Sequence, residues 1–117
     1  MALTKASATI VPSQSVPAAT SVNGSLNLTA VYGGEIVWKI TNGGSAPTTP
    51  PTIEIQASDD NTNWYRAALI NGDLTASSVN SGAVPCPVGR MYVKGICTAG
   101  ATNASTMAIM MEQISSY

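Results

Sequence analysis

Histidine is absent from these 117 residues, which removes much of the chemistry a protein side chain commonly performs. The commonest general base and the commonest metal ligand are both missing, and no Ser-His-Asp or Cys-His constellation can form. Asp59 and Asp60 are the adjacent carboxylates. Acid/base carboxylate pairs face each other across a cleft from separate elements, whereas neighbours on a turn point apart. Asp suits a hairpin turn, and that is the simpler reading. Calcium on Asp59, Asp60 and Asn61 would find hard oxygen donors, but without the spacing of a binding loop. Cys86 and Cys97, with no His beside them, make no zinc site. A buried pair of free thiols suits a protein made inside a cell; a disulfide across neighbouring strands stays open. Gly33-Gly34 and Gly43-Gly44 read as turn pairs rather than phosphate cradles. No catalytic, cofactor-binding or metal-ligating residue follows, and neither a cofactor nor enzyme activity is expected.

Binding chemistry is better represented. Trp38, Trp64, Tyr32, Tyr65, Tyr92 and Tyr117 are the aromatic side chains. The strand neighbours of Trp38 place it in the core. Trp64 and Tyr65 open a strand and point to opposite faces, so only one of them can be exposed. Core packing is the simpler reading of Trp64; a stacking platform for a sugar or a partner is the functional one.

The composition narrows the partners. Apolar residues make up 44% of the chain and charged residues only 9%, against about 25% in a typical soluble domain. The surface is therefore neutral and polar, poorly protected against association, and expected to be covered by a partner or by copies of itself. Lys5, Lys39, Arg66, Arg90 and Lys94 form no cluster and the net charge is −1, so nucleic acid is not an expected partner. Residues 6–34 carry no charge, but Pro, Ser, Thr and Asn interrupt them, so no membrane span is expected. The start of the chain is too short and too polar for a secretory signal. Asn23, Asn27 and Asn103 begin glycosylation sequons, which carry little weight in a chain so rich in Asn, Ser and Thr.

The elements that must position these residues are strands. Residues 1–20 are rich in small side chains and hold Pro12 and Pro17. They read as an extended N-terminal arm or an edge strand rather than a core element, either a frayed terminus or an arm that orders on a partner, with residues 21–117 as one β-sandwich domain. Leu3, Ile10, Val11 and Val16 are the arm's candidate residues for contact with a partner. Alternation then sets in. Leu26, Leu28, Ala30 and Tyr32 share a face. So do Ile36, Trp38 and Ile40; Ile53, Ile55 and Ala57; Met91, Val93, Gly95 and Cys97; and Met107, Ile109 and Met111. Residues 67–70 continue a strand, 77–82 read as a loop, and Pro85 and Pro87 confine 84–88 to an edge strand or a connection. No sustained period of 3.6 exists. The fold class is all-β, an antiparallel β-sandwich of jelly-roll or Ig-like type.

Residues 53–68, IEIQASDDNTNWYRAA, resemble the S-D-D-G-x-x-W hairpin of many β-sandwich modules, with Asn61 where those often carry Gly. Residues 91–113, MYVKGICTAGATNASTMAIMMEQ, resemble their closing strand pair. The chain thus resembles the small jelly-roll structural proteins of tailed bacteriophages, notably capsid decoration (cement) proteins. Discoidin-like carbohydrate-binding modules share the pattern. The start at Met, the end just past the last strand and the lack of a signal favour the phage group. That resemblance implies a virion protein made in the host cytoplasm and held on the capsid surface. It would be a homodimer or homotrimer that bridges and stabilises neighbouring major capsid proteins. A glycan-binding module and a head–tail or tail accessory protein are the alternatives.

Overall fold

The computed structural model describes residues 4–29, 31, 33–86 and 90–116. Eight strands follow in order: β1 (Thr4–Val16), β2 (Ser21–Asn27), β3 (Gly33–Asn42), β4 (Thr52–Ser58), β5 (Tyr65–Asn71), β6 (Val79–Pro85), β7 (Tyr92–Thr98) and β8 (Ser105–Ser116). They form two antiparallel four-stranded sheets. Sheet A has the order β1-β8-β3-β6 and sheet B the order β2-β7-β4-β5. β1 pairs with β8, β2 with β7, β3 with β6 and β4 with β5. This is a long antiparallel ribbon rolled over on itself, the jelly roll, and it decides between the two sandwich topologies left open above.

The period-two pattern explains the core. Ile36, Ile40, Met107, Ile109 and Met111 of sheet A meet Ile53, Ile55, Val93 and Cys97 of sheet B, all fully buried. Trp38 lies on the same inward face, half-buried against this cluster. Its indole lies over Gly82, its cross-strand partner, where a Cβ would come within 2.9 Å of the ring. Cys86 and Cys97 are buried free thiols. Cys97 lies in β7 of sheet B and Cys86 just past the end of β6 of sheet A, so they are not neighbours across a strand pair. Burial pushes their pKa values up to about 11 and about 12, which keeps the unreactive thiol form.

Of the two readings of residues 1–20, the edge strand is the one the structure has, and the free arm without a part in the core is corrected. The segment is extended, but thirteen of its residues form β1, paired with β8 from Thr4↔Ser116 to Val16↔Ser105. Ile10, Val11 and Val16 belong to the hydrophobic core and are not available to a capsid; Leu3 lies outside the described residues. The sandwich also closes on itself here, because β1 packs across the gap onto β2. A Cβ on Gly24 would overlap the carbonyl oxygen of Ile10. Backbone cannot yield as a flexible side chain does. Gly24→Ala is therefore expected to cost about 1–3 kcal/mol, read as a lower urea midpoint with an unchanged slope.

Two further segments differ from expectation. Gly33 and Gly34 open β3 instead of making a turn. Gly34 is needed there because its φ is 147° and a Cβ would overlap the Glu112 carbonyl. The stretch read as a loop at 77–82 holds the first half of β6, an edge strand that ends at Pro85. Its inward residues Asn80 and Gly82 are polar or small, which hides the alternation. Tyr32 and Ala30 lie outside the described residues, and the strand expected to include them ends at Asn27.

Candidate functional site

The outer face of sheet B is the site the sequence supplies. Outward positions alternate with buried ones along β4 and β7. In register they make rows across the sheet: Asn23, Ile96, Glu54 and Leu69 in one, Ser25, Lys94, Gln56 and Arg66 in the next. A bulge between Ile55 and Gln56 shifts the start of β5. Trp64, just before β5, is not part of the core cluster. It is half-buried against the Lys94 ammonium, 4.3 Å from the ring centroid. The core reading of Trp64 is thereby corrected. Tyr65 is 58% exposed, with the Arg90 guanidinium 5.9 Å from its ring. Trp64 and Tyr65 both serve the surface, and Arg66, Arg90, Tyr92 and Lys94 join them at one end of sheet B. Cross-strand partners such as Lys94 and Gln56 carried no signal in the sequence, because pairing register sets them beside Trp64.

The charges here are internally matched. Arg66 reaches Glu54 at 3.1 Å and Arg90 reaches Asp59 at 2.7 Å. Such exposed pairs contribute little stability, roughly 0–1 kcal/mol each, but they fix the side chains in place. Asp60 is a turn staple rather than an acid or a ligand. Its Oδ1 accepts from the backbone N–H groups of Thr62 (2.9 Å) and Asn63 (2.8 Å) and from Ser58 Oγ (3.0 Å). Its Oδ2 accepts from Asn63 Nδ2 at 2.8 Å. Asn61 takes φ 60°, the left-handed conformation its place in the hairpin demands. Among the described residues no group of three or more His, Cys, Asp or Glu gathers to hold a metal. No described helix is long and apolar enough to cross a membrane.

Three carboxylates lie below their ordinary range. The Asn63 N–H holds Asp60 down first; Gln56 does so for Glu54, and the Ser78 hydroxyl for Asp73. A depressed folded pKa gives stability that is present above the unfolded value and lost as pH falls through the folded one. The thermal midpoint is expected to hold level above about pH 5. It should fall as the pH passes below the ordinary values of 4.5 for Glu54 and 3.8 for Asp60 and Asp73. A midpoint that rises on acidification to pH about 3 would contradict these bonds.

No family model matches the chain, and no curated protein matches it. Solved structures do. The chain resembles the PBSX exported protein XepA, with TM-score 0.65 and 16% identity over 96% of this chain and 38% of that one. It resembles the enzymatically active domain of tailspike protein 4 of bacteriophage CBA120, with TM-score 0.59 and 13% identity over 96% of this chain and 18% of that one. A chain of infectious bursal disease virus, Gx strain, gives TM-score 0.59 and 12% identity over 97% and 32%. The chain therefore spans well under half the length of each of these proteins. At such identities the likeness is one of fold. This is a β-sandwich of a kind that phage and virus proteins contain.

Proposed function

We propose that the protein is a structural component of a virion, and within that class a capsid decoration protein bridging neighbouring major capsid proteins. The observation that carries the reading is the cluster of Trp64, Tyr65, Arg66, Arg90 and Tyr92 at one end of sheet B. Trp, Tyr and Arg are the residue types that dominate protein–protein interfaces. Arg66 and Lys94 stand on the outer face of sheet B with their charges matched, and Tyr65 extends from the start of β5 beside them. Shared fold with phage and viral proteins supports the class. A shell offers many copies of the same surface, so modest contacts multiply by avidity.

The test is co-sedimentation with tailed-phage capsids, titrated to saturation. Binding should level off at a fixed ratio to capsid subunits and raise the temperature at which shells open. Trp64→Ala, folded as judged by an unchanged unfolding midpoint, should weaken binding at least about 30-fold, as for a central anchor. Capsids that never retain the protein would end this proposal. One observation favours a second reading: a half-buried indole beside Lys94, outside the core, can also take a sugar ring. Retardation by a glycan that Trp64→Ala abolishes would shift the function to a carbohydrate-binding module.

A further inference from the structure

The charges of the two sheets are disposed differently. On sheet B and in the turns each described charge has a partner: Arg66 with Glu54, Arg90 with Asp59, Lys94 with the Trp64 ring, Asp60 and Asp73 with hydrogen-bond donors. Lys5, Glu35, Lys39 and Glu112 have no ion-pair partner among the described residues, although Glu112 Oε2 accepts from Ser7 Oγ at 2.7 Å, and all four belong to the strands of sheet A. Two are negative and two positive, so the face is neutral as a whole.

Their arrangement is self-complementary. Along β3 the outward residues are Glu35, Val37 and Lys39, a negative charge, an apolar centre and a positive charge. Register extends each into a row. Val37 lies between Ala83 and Met110, Lys39 between Ser81 and Ala108, and Glu35 between Pro85 and Glu112. A two-fold axis along the Val37 row turns a second copy over and reverses its strands. The two apolar rows then meet, and each Lys39 faces the Glu35 row of the other copy. Glu35 and Glu112 are directly opposed like charges, which is unfavourable in an isolated sheet. Beside them is a shallow depression of about 350 Å³, lined by Glu35, Val37, Glu112, Ile114 and Lys5 over the bare backbone of Gly34. It is open, acidic on two sides and large enough for a lysine side chain.

We propose that the outer face of sheet A is the contact between two copies of this chain, with Lys39 of each seated between Glu35 and Glu112 of the other. The contact is isologous, so each residue pair occurs twice. Four strands about 4.8 Å apart and roughly 25 Å long bury on the order of 1,000 Å² in all, near the lower bound for a specific interface. A dimer that dissociates in the micromolar range is the consequence. The inference stands on this face alone and does not need the capsid reading.

The experiment is sedimentation equilibrium on the full chain with two charge-reversal variants, K39E and E35K, each first checked for an unchanged circular dichroism spectrum. Opposed like charges are strongly disfavoured at an interface, so each variant alone should raise the dimer dissociation constant at least about 100-fold. Mixed one to one they should associate. The carboxylate introduced in K39E then faces the ammonium introduced in E35K, and the Glu35 kept by the first variant faces the Lys39 kept by the second. Recovery of the dimer in the mixture establishes the face and the axis together. A wild-type chain that stays monomeric at about 200 µM, a K39E chain as dimeric as the wild type, or a mixture of folded variants that does not associate would each overturn the proposal. If K39E does not fold, E35K carries the single-variant test.

Discussion

A chain lacking residues 1–16 is expected to be unfolded or aggregated rather than a sandwich without its arm. The deletion removes Ile10, Val11 and Val16 from the core, each contributing about 1.5–3 kcal/mol by burial. It also strips the β1 partner from β8, which keeps its ladder with β3 but becomes a bare sheet edge beside Met107, Ile109 and Met111, fully buried in the intact chain. A domain of this size has about 5–15 kcal/mol of net stability, so the side-chain loss alone takes most of it. The exposed edge adds an aggregation hazard. Dispersion of amide signals and solution mass measure the outcome. A soluble, dispersed, cooperatively unfolding fragment within about 1 kcal/mol of the full chain would show that β1 is dispensable. Loss of capsid binding in such a truncation says nothing about an attachment site, because the fold itself is lost. Trp64→Ala is the informative variant instead.

Why β1 reads as an arm is physically clear. Its ladder with β8 is interrupted between Thr9 and Val11 and again between Val11 and Gln14. These irregularities put Ile10 and Val11, adjacent in sequence, both inside, and then delay the next buried residue to Val16. Alternation is the sequence signal of a strand, and bulges erase it. Pro12 falls inside the interrupted stretch, where a missing N–H disturbs no regular ladder. The β3–β8 and β4–β7 ladders have no such interruption, and the buried faces of these strands were legible residue by residue: Ile36 and Ile40, Ile53 and Ile55, Val93 and Cys97, Met107 and Ile109. Pro85 marked an edge strand correctly. The site was half legible. Trp64 and Tyr65 stand out by type, and they do reach the surface. Their companions Lys94 and Arg90 come from chain some thirty residues away, and a bulge in β4–β5 sets which face Trp64 takes. Register of this kind depends on pairs distant in sequence and leaves no local mark. For the same reason the complementarity of Glu35 and Lys39 with a second copy emerges only once β8 and β6 are placed beside β3.

Asn42→Leu is expected to lower stability by about 3 kcal/mol, the range for breaking a buried polar network. Asn42 ends β3 and is 3% exposed. Its Nδ2 donates to the carbonyls of Asp73 (3.0 Å) and Thr75 (2.9 Å), with the Asp73 carboxylate at 3.1 Å. Its Oδ1 accepts from Ser105 Oγ at 3.0 Å. One side chain thus ties the connection that carries the chain from β5 in sheet B to β6 in sheet A to the start of β8. Leucine fills the space but leaves the Asp73 carbonyl and a buried hydroxyl without partners and the Thr75 carbonyl with only a long bond from the Ser78 N–H, and unmade bonds of buried groups are what cost most. At 117 residues that loss corresponds to a fall of roughly 10 °C in the thermal midpoint. Ser105→Ala removes one donor and leaves the loop bonds intact, so about 1 kcal/mol is expected there. The two values should differ in that order by urea titration. Hydrogen exchange should show the added opening in Asn42→Leu concentrated in residues 73–80 and in β6, whose strand partner among the described residues is β3. An Asn42→Leu midpoint within about 0.5 kcal/mol of wild type would mean that water or a shifted loop satisfies those carbonyls. The connection would then be held by the Gly72 N–H to Pro51 and Ser77 N–H to Gly43 backbone bonds.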